Sequence, residues 1–214
     1  MATSPILLEI ASDSVEQAVS AQTAGAGRIE LCARLDLEGL TPPLAWVREA
    51  HAKLRVPFVT MIRPRAGDFH YAAGELARMR SFAEDALAAG SDGIVVGPLR
   101  GDGSVDEVAT RGFVEMAAGR DVVLHRAFDV APDPFAALET LIACGVTRVL
   151  TSGGAATALE GAERIRALVE RAAGRIQVVA CGRIRADTLA EVVRPTGVAQ
   201  VHRRFGEGVG AASA

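Results

Sequence analysis

At 214 residues, half of them apolar, with a formal net charge of -3 at pH 7, the chain has material for a full hydrophobic core and lacks the composition of a disordered protein. Arginine carries nearly all the positive charge and no basic run is interleaved with aromatics, which argues against a nucleic-acid partner; no apolar stretch reaches the ~20 residues of a membrane span. Three cysteines, Cys32, Cys144 and Cys181, are an odd number, and MATSPILLEI has no basic region or cleavage site, so reduced thiols in a cytoplasmic chain forming one domain over residues 1–214 are expected.

In chain order, short β-rich runs alternate with Ala-rich amphipathic stretches. ILLEIA (6–11) precedes SVEQAVSAQTAG (14–25), RIELCA (28–33) precedes PPLAWVREAHAKL (42–54), PFVTMIR (57–63) precedes GELARMRSFAEDALAAG (74–90), and GIVVG (93–97) precedes DEVATRGFVEMAA (106–118). The second half runs DVVLHRAF, PFAALETLIAC, RVLTSG, ALEGAERIRALVERAA, IQVVAC, ADTLAEVV and VAQVHR, giving eight strand candidates and seven helices. A glycine recurs at four helix-to-strand turns, Gly25, Gly90, Gly145 and Gly197, each four residues before the apolar start of a strand (Ile29, Ile94, Val149, Val201). Such βα alternation predicts a parallel sheet, and eight units close most naturally into a TIM-type (β/α)8 barrel. A doubly wound open sheet is the alternative, but no GxGxxG follows the first strand.

Side-chain alternation turns Glu9 and Ala11, Glu30 and Cys32, and Met61 and Arg63 inward, and leaves Ile29 and Leu31 for the helices. Buried carboxylates at Glu9 and Glu30 need partners, and Arg63, His125, Arg126 and His202 are the strand-end candidates. After the eighth strand FGEGVGAASA is too short and Gly-rich for a covering helix, which predicts a barrel lacking a clear final helix and a homo-oligomer whose neighbouring subunit covers the seam, or a shortened version of a longer fold.

HRAFD (125–129) closes the fifth strand, with His125 as acid/base or metal ligand, Arg126 as clamp and Asp129 as carboxylate; a salt bridge among these residues is the alternative. Arg63 ends the third strand before Pro64 and Arg65 and is the favoured site residue, whereas an exposed Arg65 or His70 is more often solvated surface. Ser152 and Gly153 in LTSGG, and Gly182 in CGR, would let amides approach an anion, or serve tight turns alone. Glu9 and Glu30 could ligate a cation, act as a carboxylate pair or hold the arginines. Cys32 suits a soft-metal thiolate or an inert buried thiol; Cys144 reads as packing, and Cys181 lies at a strand end. The only lysine, Lys53, falls on a helix, which sets aside Schiff-base aldolase chemistry.

These motifs resemble the CutC family from about Ile6 to His202: LLEI (7–10), AGAGRIELC (24–32), GLTP (39–42), IRPRAGDFHY (62–71), HRAFD, LTSGG (150–154) and ALEG (158–161). The resemblance implies a (β/α)8 or closely related barrel, cytoplasmic residence, frequent oligomers and a contested role in copper homeostasis. Many relatives carry a cysteine where this chain has Ala11, so Cys32 is the remaining candidate Cu(I) ligand, with Met61 or Cys181 as its soft neighbours; Ala66, Cys181 and the Arg203–Arg204 pair also depart from the family pattern. Two readings follow: Cu(I) binding at Cys32, or an enzyme or binding protein for a small anionic or phosphorylated metabolite. In the second, Arg63 and Arg126 are clamps, His125 is the acid/base, and Glu9 or Glu30 is its partner.

Overall fold

Residues 6–206 are described by a computed structural model in which eight strands pair in parallel in chain order and close into a barrel, β8 against β1. The strands are β1 (Leu7–Ser12), β2 (Arg28–Leu31), β3 (Phe58–Met61), β4 (Gly93–Val96), β5 (Asp121–Leu124), β6 (Arg148–Thr151), β7 (Gln177–Ala180) and β8 (Gln200–Arg204). Between them lie α1 (Val15–Thr23), α2 (Leu44–Lys53), α3 (Ala73–Ala88), α4 (Glu107–Ala117), α5 (Pro134–Cys144), α6 (Ala162–Ala172) and α7 (Leu189–Thr196), with 3-10 turns at Leu35–Leu37 and Arg126–Val130. The expected (β/α)8 architecture is present, and no helix follows β8 among the described residues. The leader reading of residues 1–5 and the tail from residue 207 lie outside them.

Local sequence accounts for these elements. Most strands are Val/Ile/Leu-rich and buried on both faces, as a parallel sheet sandwiched between a core and a helical layer requires. Helices start on side-chain caps: Ser14 accepts from the Gln17 amide at 3.1 Å, Asp106 from Ala109 at 3.0 Å, and Asp133 from Phe135 and Ala136 at 2.9 and 3.0 Å. The four turn glycines adopt left-handed φ values of +96°, +101°, +86° and +70°, so a side chain at Gly25, Gly90, Gly145 or Gly197 would be strained.

Two apolar layers result. Ile29, Leu31, Ile94, Leu124 and Val149 face the helices, whereas Val59, Met61, Val95, Val123, Leu150 and Val179 pack with Cys32 and Cys181 inside the barrel. The predicted parity is thus observed, and it sets the strand ends that form the mouth. None of the described helices is long and apolar enough to cross a membrane.

Candidate functional site

Level with inner apolar residues such as Val59 and Val123, the register partners of Glu30 and Arg148, lies a buried ionic network. Glu9 is the register partner of both Arg28 and His202; Arg28 Nε donates to Glu9 Oε2 in a short contact, and His202 Nδ1 lies 2.9 Å from Glu9 Oε1. Arg148 Nη2 is 3.7 Å from Glu9 Oε2, and its Nη1 pairs with Asp121 at 2.7 Å. Burial alone would raise the Glu9 pKa, but the hydrogen bond from His202 and the charges of His202, Arg28 and Arg148 outweigh it and hold the carboxyl down at about 2. The partners of Glu9 are therefore Arg28 and Arg148, at the first positions of β2 and β6, together with His202, and not Arg63 or Arg126. Parity applied to the first residue of each strand would have found both arginines, because Arg28 shares the inward face of Glu30 and Arg148 that of Leu150.

Glu30 stands on the other side of His202, its Oε1 4.0 Å from Nε2, while Oε2 is buried without a hydrogen-bond partner. Burial, followed by the neighbouring Glu9 charge, pushes the Glu30 carboxyl up to about 7 against the pull of His202, Arg148 and Arg28. Burial pulls the His202 imidazole down, yet the charges of Glu30 and Glu9 and the bond to Glu9 lift it above its ordinary value. Ligand atoms of Glu9, Glu30 and His202 all lie within 4.8 Å of one another. Both Glu9 oxygens are already engaged, however, and a cation there would meet the Arg28 and Arg148 guanidinium groups, so the trio reads as an ionic network.

Above this network the strand ends and their loops enclose a cavity of about 370 Å³, lined by Glu30, Arg63, His125, Arg126, Gly182 and His202 among the expected residues. Glu9 and Cys32 do not line it. Glu38, Phe69, Arg183, Arg203 and Arg204 also line it; of these, Glu38, Phe69 and Arg183 come from loops whose course sequence periodicity does not report.

His125 is seated by Gly97, where an added Cβ would fall 2.0 Å from the imidazole Cε1, and its ring packs at 5.0 Å from that of Phe69. The Ala127 amide donates to Nδ1 at 3.1 Å, so the proton of the neutral ring sits on Nε2, which is buried and unpartnered. Burial and the Arg63 charge hold the His125 pKa down at about 3, which suits a fixed N–H donor better than a proton-exchanging group. Arg63 spends its Nη groups on backbone carbonyls of Leu37, Gly39 and Gly67 at 2.9, 3.2 and 3.3 Å, tying together the loops after β2 and β3.

Arg126 reaches Asp129 Oδ2 and Ser152 Oγ, each at 3.0 Å. Asp129 in turn accepts from Thr151 Oγ1 at 2.5 Å, the Ser152 amide at 3.1 Å and the Gly154 amide at 3.1 Å. The amides of the LTSGG loop thus already hold an anion, the Asp129 carboxylate, and Gly153 lines a separate hollow of about 230 Å³ beside Arg164.

The sulfur donors fit copper poorly. Cys32 is fully buried and donates to the Ser12 carbonyl at 3.5 Å. Burial, then the charges of Glu30 and Asp13, push its thiol far above the ordinary value, and burial does the same to Cys181. Met61 and Cys181 line the cavity, but among the described residues the one group of three or more His, Cys, Asp or Glu ligands contains no sulfur, and a cysteine must give up its proton to ligate Cu(I), which burial opposes here.

Comparison with known proteins places these residues in context. The profile of the CutC family matches residues 6–207. The CutC family protein of Caulobacter vibrioides is 42% identical over 206 residues, covering 96% of this chain and 84% of its own, and that of Treponema denticola is 43% identical over 197 residues, covering 92% and 80%. A crystal structure of CutC from Streptococcus agalactiae, whose name refers to copper homeostasis, superposes with a TM-score of 0.88 at 32% identity over 92% of this chain and 97% of that one.

Proposed function

The chain belongs to the CutC family, and from that premise we propose that it binds and processes a small anionic metabolite, a carboxylate or phosphate monoester, in the cavity at the mouth of its barrel. Charge is the observation that carries this reading. In a chain of net charge -3, the cavity draws five arginines (63, 126, 183, 203 and 204) and two histidines against the carboxylates Glu30 and Glu38. Among the described residues, Arg126 alone of these arginines has a carboxylate within ion-pair distance. A concave surface with unneutralised guanidinium groups concentrates anions, and guanidinium forks match carboxylate and phosphate oxygens.

The roles divide by exposure. Arg183 and Arg204 are exposed at the rim and Arg126 is partly so, which suits them to grip a ligand. Arg63, with both Nη groups committed to carbonyls, shapes the wall instead. His125, whose Nε2–H is buried and unpartnered, stands in the wall with it. The copper function in the name of the Streptococcus relative draws no support from the protonated, buried thiols of this chain.

Paired thermal-shift titrations test the proposal. Glycerol phosphate, inorganic phosphate and oxalate should raise the melting temperature, with an effect that fades as salt rises, while glycerol should leave it unchanged. Equal responses to glycerol and glycerol phosphate would count against an anion site.

A further inference from the structure

His202 combines features that no other polar group of the cavity shares. It lines the cavity, and its side chain is 13% exposed, whereas the Glu9 that grips its Nδ1 is fully buried and does not line it. With Glu9 ionised, Nδ1 carries a hydrogen and donates to it, which fixes the ring and leaves Nε2 as the free nitrogen. Nε2 makes no hydrogen bond to a described residue, and unlike His125 Nε2 and Glu30 Oε2 it is not sealed from solvent. A carboxylate behind one imidazole nitrogen and an accessible site at the other is the arrangement that lets a histidine take and return protons.

We propose that His202 is the general acid–base of this cavity and that Glu9 is its positioning residue. The ligand on which His202 acts is the small anion of the preceding section, so that part rests on the anion-binding reading. In the acid direction the Nε2 proton passes to a ligand oxygen, the N–H bonding pair stays on Nε2, and the neutral ring keeps its other hydrogen on Nδ1 against Glu9. The base direction is the reverse, and neither needs an oxidant or a second substrate. The charged groups around the ring are Glu9 from β1, Glu30 and Arg28 from β2, and Arg148 from β6 behind Glu9; the two carboxylates outweigh Arg28 and favour the protonated ring.

Acylation by diethyl pyrocarbonate, which reads the neutral Nε2, tests this when the modified peptides are mapped by mass spectrometry across pH. His202 should react in the folded protein, with a pH midpoint above the ordinary imidazole value, while His125 stays unmodified. Glu9→Gln should lower the His202 midpoint by about one unit, and Glu30→Gln, which serves if the first variant fails to fold, should also lower it. An unreactive His202, or a midpoint unmoved in the folded variants, would overturn the assignment. Inorganic phosphate should slow the reaction; absence of that protection, with the midpoint shifts intact, would count against the anion reading and leave the His202 assignment supported.

Discussion

Glu9 and His202 are register partners across the seam where β8 closes onto β1, 193 residues apart in the chain, and their side chains meet at 2.9 Å between Oε1 and Nδ1. The contact that orients an imidazole at the cavity is therefore also one of the contacts that close the barrel. Site and fold share this carboxylate, whose second oxygen answers Arg28 from the neighbouring strand.

Glu9→Ala should be among the most destabilising single changes in the protein, costing about 3–5 kcal/mol, because it leaves Arg28 and Arg148 as buried cations without their central partner. Urea unfolding measures it. A loss no larger than that of an exposed pair such as Lys53–Glu49 would contradict the network described here.

Glu30→Gln should stabilise the protein at alkaline pH. Its carboxyl is raised from 4.5 to about 7 on folding, so between those values the unfolded chain sheds the proton first, and Glu30 lowers stability increasingly as pH rises from 4.5 through 7. Removing the charge should recover on the order of 3 kcal/mol at pH 8 and nothing at pH 4. His202 works in the same direction, since its raised pKa gives stability that is present below the unfolded value and is lost as pH climbs through the folded one. Superimposable stability–pH curves for parent and Glu30→Gln would refute the perturbed carboxyl.

Gly97→Ala tests how His125 is seated. The new methyl would lie 2.0 Å from Cε1, forcing the imidazole out of its place at a cost of about 1–3 kcal/mol. His125→Ala in the same chain should recover part of that loss, and the coupling energy from the double-mutant cycle reports the contact. Simple additivity would mean that the two residues do not meet.

An anaerobic Cu(I) competition titration of the parent beside Cys32→Ser should reveal no tight equivalent that depends on Cys32, because the thiol is buried, protonated and bonded to the Ser12 carbonyl. One tight equivalent in the parent, lost in the variant, would restore the copper reading.

Much of the barrel was legible because its signals are local and repeated. Val/Ile runs mark strands buried on both faces, a glycine three residues before each of four strands marks a helix end, and parity turns Glu30 inward and Ile29 outward. The same parity turns Arg28 and Arg148 inward, but they stand at the amino ends of their strands, the end opposite the one at which a barrel's chemistry is expected. Loop-borne chemistry was less legible. That Asp129 fills the anion position of the LTSGG amides, or that Arg63 ties the carbonyls of Leu37, Gly39 and Gly67, depends on loop conformations that no spacing encodes. His202 was visible as a strand-end residue, but its orientation by Glu9 follows from β1–β8 register, which needs the closed barrel.

The central claim, that the mouth of this barrel is an anion site, is tested most directly by calorimetric titration of glycerol phosphate into the parent and into Arg183→Ala/Arg204→Ala. These two rim arginines are exposed and make no ion pair with a described carboxylate, so their removal should leave the fold intact. The account predicts saturable binding to the parent that weakens with salt and falls by roughly tenfold or more in the double variant, the equivalent of ~1.4 kcal/mol. Binding of equal strength in both proteins, or none in the parent, would contradict it.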